Sequence, residues 1–441
     1  MTHLRQRFGP VVLMGGGIAL VGAAGYAFVA LSGHTLSTSD AAAVASVYLI
    51  VNIIGPGLFF ALEQETSRAT SAHRALGGGL APIAARAAVV ALSMLAAVLV
   101  LLIAISPALT ERALSGQRAL FAAVLLSVVT SAAVYLVRGL LGGTRRFVGY
   151  SATLIGEGLA RLLPCVAIAA SGMADAAFYA FVFAAGSGIG ALAGAWWLRR
   201  RVDRADRDGA AVPTGHPAVA AHASVAAMGR AAATLLGGTL LMQLVANLAP
   251  IVVTSRLVHD TATAAAFAAG FVLVRIPLLL LAPVQAVVLP ALASAAAQGR
   301  FSVVRTKLWS TVALAAAVGV PSAVLMWLLG PWAVPLLFGA QVRLPGTVCG
   351  LLGLGTLALL IAQVLQPGLV ALGKHQLVTA SWVLGSIALI ALLALPVDPV
   401  GAATAAQLIG SVLVAGTMAV AVWRPLRQPD VVSLDGAAAR R

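Results

Sequence analysis

Residues 81–105 read APIAARAAVVALSMLAAVLVLLIAI, twenty-five positions carrying one charge, Arg86. A helix on the surface of a soluble domain keeps a polar face, and this stretch has none. About 20 apolar residues span the hydrocarbon core of a bilayer, so the stretch reads as a membrane helix. Working outward from it, the sequence divides into twelve such segments: 10–32, 41–62, 81–105, 119–140, 151–171, 176–198, 229–255, 263–289, 308–330, 347–370, 376–396 and 400–423. Twelve spans account for about 240 residues, close to what a 441-residue chain that is 61% apolar and 9% charged can supply. No room is left for a soluble catalytic domain, and a water-soluble fold is excluded. The first segment exceeds the 7–15-residue core of a signal peptide and reads as a retained helix.

The formal charge of +15 would suggest nucleic acid in a soluble protein. Here it follows from loop placement, because membrane proteins concentrate Lys and Arg in cytoplasmic loops. With the N-terminus inside, 22 of the 28 basic residues fall on the inner side, Arg138 counted among them. Four (Arg112, Arg118, Arg256 and Arg343) fall outside, and Arg161 and Arg275 lie within spans. Both termini are therefore expected in the cytoplasm of a bacterial cell. The longest polar stretch, from Arg199 into the Gly/Pro/Ala-rich residues near 209–217, separates spans six and seven. The expected organisation is a six-helix bundle over 1–198, a cytoplasmic linker over 199–228, a second six-helix bundle over 229–423 and a tail over 424–441. An even number of spans per half makes any internal repeat parallel. The fold class is all-α integral membrane protein.

Catalytic and metal chemistry have nowhere to sit. Cys165 and Cys349 fall in different segments without a CxxC partner, and no HExxH or GxSxG occurs. Gly368-x-x-x-x-Gly373-Lys374-His375 approaches a phosphate-binding loop but lacks the terminal Ser/Thr that holds Mg²⁺ and any strand before it. No cofactor is expected. Gly186, Gly190 and Gly194 recur every four residues in the sixth segment, the spacing that lets helix backbones approach closely in lipid. Gly15–Gly17 and Gly237-Gly238 mark a bend or close contact in the first span of each half.

Ionisable groups inside the bilayer are costly, about 2.5–3.5 kcal/mol at a helix centre on insertion scales. Glu157 and Arg161, four apart in the fifth segment, share a helix face and can pair; Glu157 is a coupling or ion-pair candidate. Arg275 stands near the middle of the eighth segment, followed by Pro277 and Pro283. Asn52, Gln243, Asn247, Gln285 and Gln363 add uncharged polar groups that read as a wet interior, and Gln366 and Gln407 join them. Together these point to transport. The major-facilitator signature between spans two and three is missing: the loop reads EQETSRATSAHR over residues 63–74, without its Asp and Gly.

Four features carry a resemblance to a known family. They are Gly55-Pro56 followed by Glu63-x-Glu65-x-x-Arg68; Arg138-Gly139 through Gly143-x-x-x-Phe147-x-x-Tyr150 into Glu157-Gly158-x-x-Arg161; Arg275-x-Pro277 running to Leu289-Pro290-x-Leu292-Ala-Ser294 and Gly299-Arg300; and the turn Leu372-Gly373-Lys374. In these the chain resembles the Wzx-like polysaccharide exporters of the multidrug/oligosaccharidyl-lipid/polysaccharide (MOP) superfamily. The resemblance implies a MATE-like pair of six-helix bundles and a flippase that moves a polyprenyl-pyrophosphate-linked oligosaccharide from the inner to the outer leaflet. A polysaccharide polymerase and glycosyltransferases would be its partners. Arginine matches phosphate geometry bidentately and stays protonated, so Arg275 and Arg161 are the expected pyrophosphate ligands, with Glu157 holding Arg161 in the empty state. A multidrug or cation antiporter of the same superfamily and a major-facilitator-type transporter are the alternatives.

The charge distribution generates a topology test. Cysteines introduced at Ser37 and Val397 should react with an impermeant reagent from outside the cell, and one at Gly209 only from inside. External labelling at Gly209 would overturn the topology.

Overall fold

The computed structural model describes residues 2–75, 79–205, 225–278, 292, 300–372 and 374–423. Among them every regular element is helical. In order they are α1 (Thr2–Thr35), α2 (Thr38–Ile54), a π-turn (Gly55–Phe59), α3 (Phe60–Ala75), α4 (Leu80–Ala104), α5 (Ser106–Ala113), α6 (Arg118–Gly143), α7 (Phe147–Ala170) and α8 (Ala176–Ala205). There follow α9 (Val225–Arg256), α10 (Thr261–Leu273), α11 (Phe301–Phe338), α12 (Gly346–Ala371), α13 (His375–Leu393) and α14 (Pro399–Trp423). Among the described residues twelve spans are long and apolar enough to cross a membrane, α2, the π-turn and α3 together making the second.

The helices outrun the apolar segments marked in the sequence. Segment 308–330 becomes the 38-residue α11, which holds Pro321, Pro331 and Pro335 and ends on Gly339. That glycine has φ 67°, and its N–H bonds to the Pro335 carbonyl at 2.9 Å, a left-handed stop that a residue without Cβ adopts at no cost. Several helix starts are capped by short acceptors. Ser37 takes the Asp40 N–H, Asp175 those of Ala177 and Phe178, Asp260 that of Thr263, and Asp398 that of Gly401. Each cap satisfies donors that a helix start leaves without a partner.

The outward faces are the reverse of a soluble protein's. Val100 on α4 and Leu336 on α11 are 68% and 76% exposed, large apolar side chains that only lipid would cover favourably. The near match to a phosphate-binding loop has no such context, since Gly368 lies inside α12.

The chain forms two compact units: residues 1–243 with 258–265, and residues 244–257 with 266–441. In the first, Gly17 sits against Leu154 of α7, where a Cβ would come within 2.7 Å of the leucine Cβ. Gly15, Gly16, Gly237 and Gly238 have open space instead. In the second unit α11 packs on α12 through Gly353, whose Cβ would reach Ala323 Cα at 2.8 Å. Helices α13 and α14 meet at Gly385 and Gly410, where a Cβ on either would crowd the other's carbonyl oxygen. The Trp382 indole N–H donates to Gln366 Oε1 at 3.0 Å, tying α13 to α12.

Candidate functional site

The charged centre of the first unit grows from α7. One turn apart on that helix, Thr153, Glu157 and Arg161 share a face, and all three are buried. The Glu157 carboxylate lies between two guanidinium groups. Arg161 Nη2 approaches Oε1 at 2.7 Å, and Arg138 Nη2 of α6 approaches Oε2 at 2.5 Å. Ser187 of α8 donates to Oε1 at 2.8 Å and accepts from Arg161 Nη2 at 2.8 Å. Arg138 Nε donates to Thr153 Oγ1 at 2.9 Å, and Arg161 Nε to the Phe183 carbonyl at 3.2 Å. The Arg161 guanidinium also lies 4.1 Å from the Phe183 ring centroid, a favourable cation–π distance.

A second carboxylate extends the cluster. Tyr150, on the first turn of α7, donates its hydroxyl to Glu63 of α3 at 2.7 Å, and its ring lies 6.0 Å from the Arg138 guanidinium. Glu63, Arg138, Glu157 and Arg161 thus draw α3, α6, α7 and α8 together, two negative charges with two positive ones.

The glycine stripe of α8 makes the space for this arrangement. A Cβ at Gly186 would collide with the Arg161 side chain. One at Gly190 would lie 2.7 Å from the Thr153 carbonyl oxygen and 3.1 Å from Glu157 Cβ, and one at Gly194 would lie 2.6 Å from Thr153 Cγ2. The four-residue period is therefore the footprint of α7 and its charged side chains.

The sequence pairing of Glu157 with Arg161 is present. Arg138 corrects the reading that placed it among inner-loop charges: it is 6% exposed and belongs to the bundle interior. Hydropathy falls near the end of α6 and cannot distinguish a solvated arginine from one paired across helices. In the sequence Glu63 and Tyr150 stand out only as parts of the family pattern, with no role attached. Their signal was the glycines beside them, since Gly139 and Gly143 bring α6 onto α3 at Thr66 and Thr70.

In the second unit Arg275 follows α10. Pro277 has no N–H to give the Leu273 carbonyl, and a proline ring also disfavours helix before it. The helix ends at Leu273, and the Arg275 N–H turns back to Val272 O at 3.1 Å. Arg275 thus lies within the eighth span, as expected, at a turn between Leu273 and the helical residues 276–278. Its Nη1 donates to Asn247 Oδ1 at 3.2 Å, and its guanidinium lies 4.3 Å from the Phe271 ring centroid. Asn52 donates to Tyr48 O of its own helix at 2.8 Å. Gln243 packs beside Gly57, Gln363 is half-buried on α12, and Gln285 falls outside the described residues. Among the described residues no group of three or more His, Cys, Asp or Glu could hold a metal.

No protein-family model and no curated protein sequence matches the chain. Solved structures do. An inward-facing "multidrug resistance MATE family transporter of the MOP superfamily" superposes with TM-score 0.70 at 13% identity, over 92% of this chain and 94% of its own. The fold is that of the MATE transporters. A mutant of the Vibrio cholerae MATE transporter VcmN gives TM-score 0.64 at 14% identity, over 97% of each chain. An outward-facing MATE transporter gives 0.58 at 13%, over 95% of each. The expected all-α, twelve-span, MATE-like architecture is the observed one, and these neighbours lend the major-facilitator alternative no support.

Breaking a buried ion pair by removing one partner costs about 3–5 kcal/mol. Glu157→Gln, which leaves two buried guanidinium groups facing an amide, should lower the melting temperature and membrane abundance. Combining it with Arg138→Gln should recover part of both. Gly190→Ala should destabilise by about 1–3 kcal/mol, as over-packing does. Wild-type melting in Glu157→Gln would show that the carboxylate is not structural.

Proposed function

We propose that the chain is a secondary transporter of the MOP superfamily that moves an anionic, lipid-linked oligosaccharide on a polyprenyl pyrophosphate from the inner to the outer leaflet of a bacterial cell membrane. The observation that carries this reading is the state of the carboxylates. Among the described residues those of the spans are Asp40, Glu63, Glu65 and Glu157. Asp40 accepts from Ser37 and Gln117, Glu63 from Tyr150, Glu65 from Arg68, and Glu157 from Ser187 and two arginines. Each is already satisfied inside the protein, so a cationic substrate would have to displace a bonded partner. Arginines stand in the spans of both units, and a guanidinium suits a phosphate oxygen pair.

In this reading Arg275 takes the pyrophosphate, and Glu157 holds Arg161 until the anion competes for it. An inside-negative potential supplies about 2.3 kcal/mol per charge per 100 mV, and about twice that for a dianion leaving the cell. The six-plus-six division about a linker at 199–228, with both termini cytoplasmic, belongs to the same proposal, as do polysaccharide polymerase and glycosyltransferase partners.

A cation or multidrug antiporter is the second reading, favoured by the multidrug transporter named among the structural neighbours. Substitution of Arg275 separates the two. Arg275→Lys keeps the charge without the planar fork and should export lipid-linked sugar poorly, and Arg275→Ala should export almost none, both at near-normal membrane levels. The measurement is lipid-linked oligosaccharide retained on the inner leaflet. Wild-type export in Arg275→Ala, together with a chain-dependent gain in resistance to cationic dyes, would favour the antiporter.

A further inference from the structure

The second unit carries a groove unrelated to the charged centre. Its volume is about 1050 Å³, and Phe301, Lys374, Leu377, Val412, Gly416 and Val420 are among the residues that line it. Its long wall is one stripe of α14. From Val412 to Ala421 that stripe rises about 14 Å at 1.5 Å per residue, close to half of a hydrocarbon core about 30 Å thick. The groove is therefore one leaflet deep.

Its two ends differ in chemistry. Along the stripe the lining is apolar apart from Thr417, whose hydroxyl is spent on the Leu413 and Val414 carbonyls of its own helix. Gly416 opens the floor, since a Cβ built there meets nothing within 4 Å. At the rim, Lys374 is exposed. Arg300 adjoins Phe301, and Arg305 lies one helical turn beyond it on the same side of α11; both are exposed. Among the described residues of the second unit the only carboxylate is Asp398, at the opposite end of α14, where it caps the helix.

We propose that this groove binds an anionic glycerophospholipid of the leaflet at that end, its phosphate at Lys374 and an acyl chain along Val412–Val420. A cationic rim above a one-leaflet apolar trough matches such a lipid in charge and length. A soluble anion would gain nothing from the trough, and a neutral lipid nothing from the rim. The proposal holds for either orientation of the chain and for any transported substrate.

The test uses the full chain, reconstituted in equal parts of phosphatidylglycerol and phosphatidylcholine, released into the gas phase and weighed with its retained lipid. Wild type should retain phosphatidylglycerol preferentially. Lys374→Glu should reduce that preference about tenfold, given the attraction of basic residues for anionic lipid, and Lys374→Arg should keep it. Arg343→Glu, the same charge change in the loop at the other end of α11, should leave it unaltered. Gly416→Phe, which fills the floor, should abolish retention of the bound lipid. Equal retention of the two lipids by wild type, or equal effects of Lys374→Glu and Arg343→Glu, would overturn the proposal. So would a requirement that residues 424–441 be deleted before lipid is retained, which would make that segment the occupant.

Discussion

A carboxylate shared between two guanidinium groups inside a membrane bundle fixes most of what surrounds it in the first unit. Glu157 alone on α7 would be expensive to bury, and so would Arg138 or Arg161 alone. Together they are tolerated only at hydrogen-bonding distance, which dictates how closely α6 and α8 approach α7. The hydroxyls of Thr153 and Ser187 and the Phe183 carbonyl then occupy the donors and acceptors that the ion pairs leave over. Glycines at 186, 190 and 194 follow from the same demand, because any side chain there would hold α8 away from the charges it helps to satisfy.

The second unit is built on different terms. Its described spans hold no carboxylate, and its helices close on one another through glycine and alanine, with Gly353 on Ala323 and Gly385 on Gly410. Dispersion contacts at short backbone separation are the available glue where lipid removes the hydrophobic drive between helices. Arg275 enters this apolar setting where Pro277 has broken α10, against an amide oxygen and an aromatic face. One unit thus pairs its buried charges across helices, and the other sets a guanidinium against an amide oxygen and an aromatic ring.

The twelve spans and the Glu157–Arg161 pair were legible because each rests on a local regularity, apolar run length or i,i+4 spacing. Arg138 and Glu63 were not legible as interior residues, because their partners lie on other helices and nothing in a single segment reveals a partner 19 or 87 positions away. The α8 glycines were legible as packing, but not that the packed object is a charged side chain. Arg275 was legible as a residue of the eighth span, and Pro277 beside it marks where α10 ends. The groove at Lys374 left no trace in the sequence, since it is assembled from the starts of α11 and α13 and the end of α14.

The π-turn at Gly55–Phe59 carries a consequence for how this sequence can vary. A π-turn inserts a residue into an α-helical ladder, here beside a bond from the Thr239 hydroxyl to the Gly57 carbonyl at 2.6 Å. In an unbroken α-helix one extra residue turns everything after it by about 100°, and the π-turn takes up that residue by widening a single turn. Wound as a regular helix, the same residues would carry Glu63 off the bearing that meets Tyr150, and Thr66 and Thr70 off those that meet Gly139 and Gly143. The second span is phase-locked by its wide turn: with its residue count kept, straightening Gly55–Phe59 is the change its contacts cannot absorb.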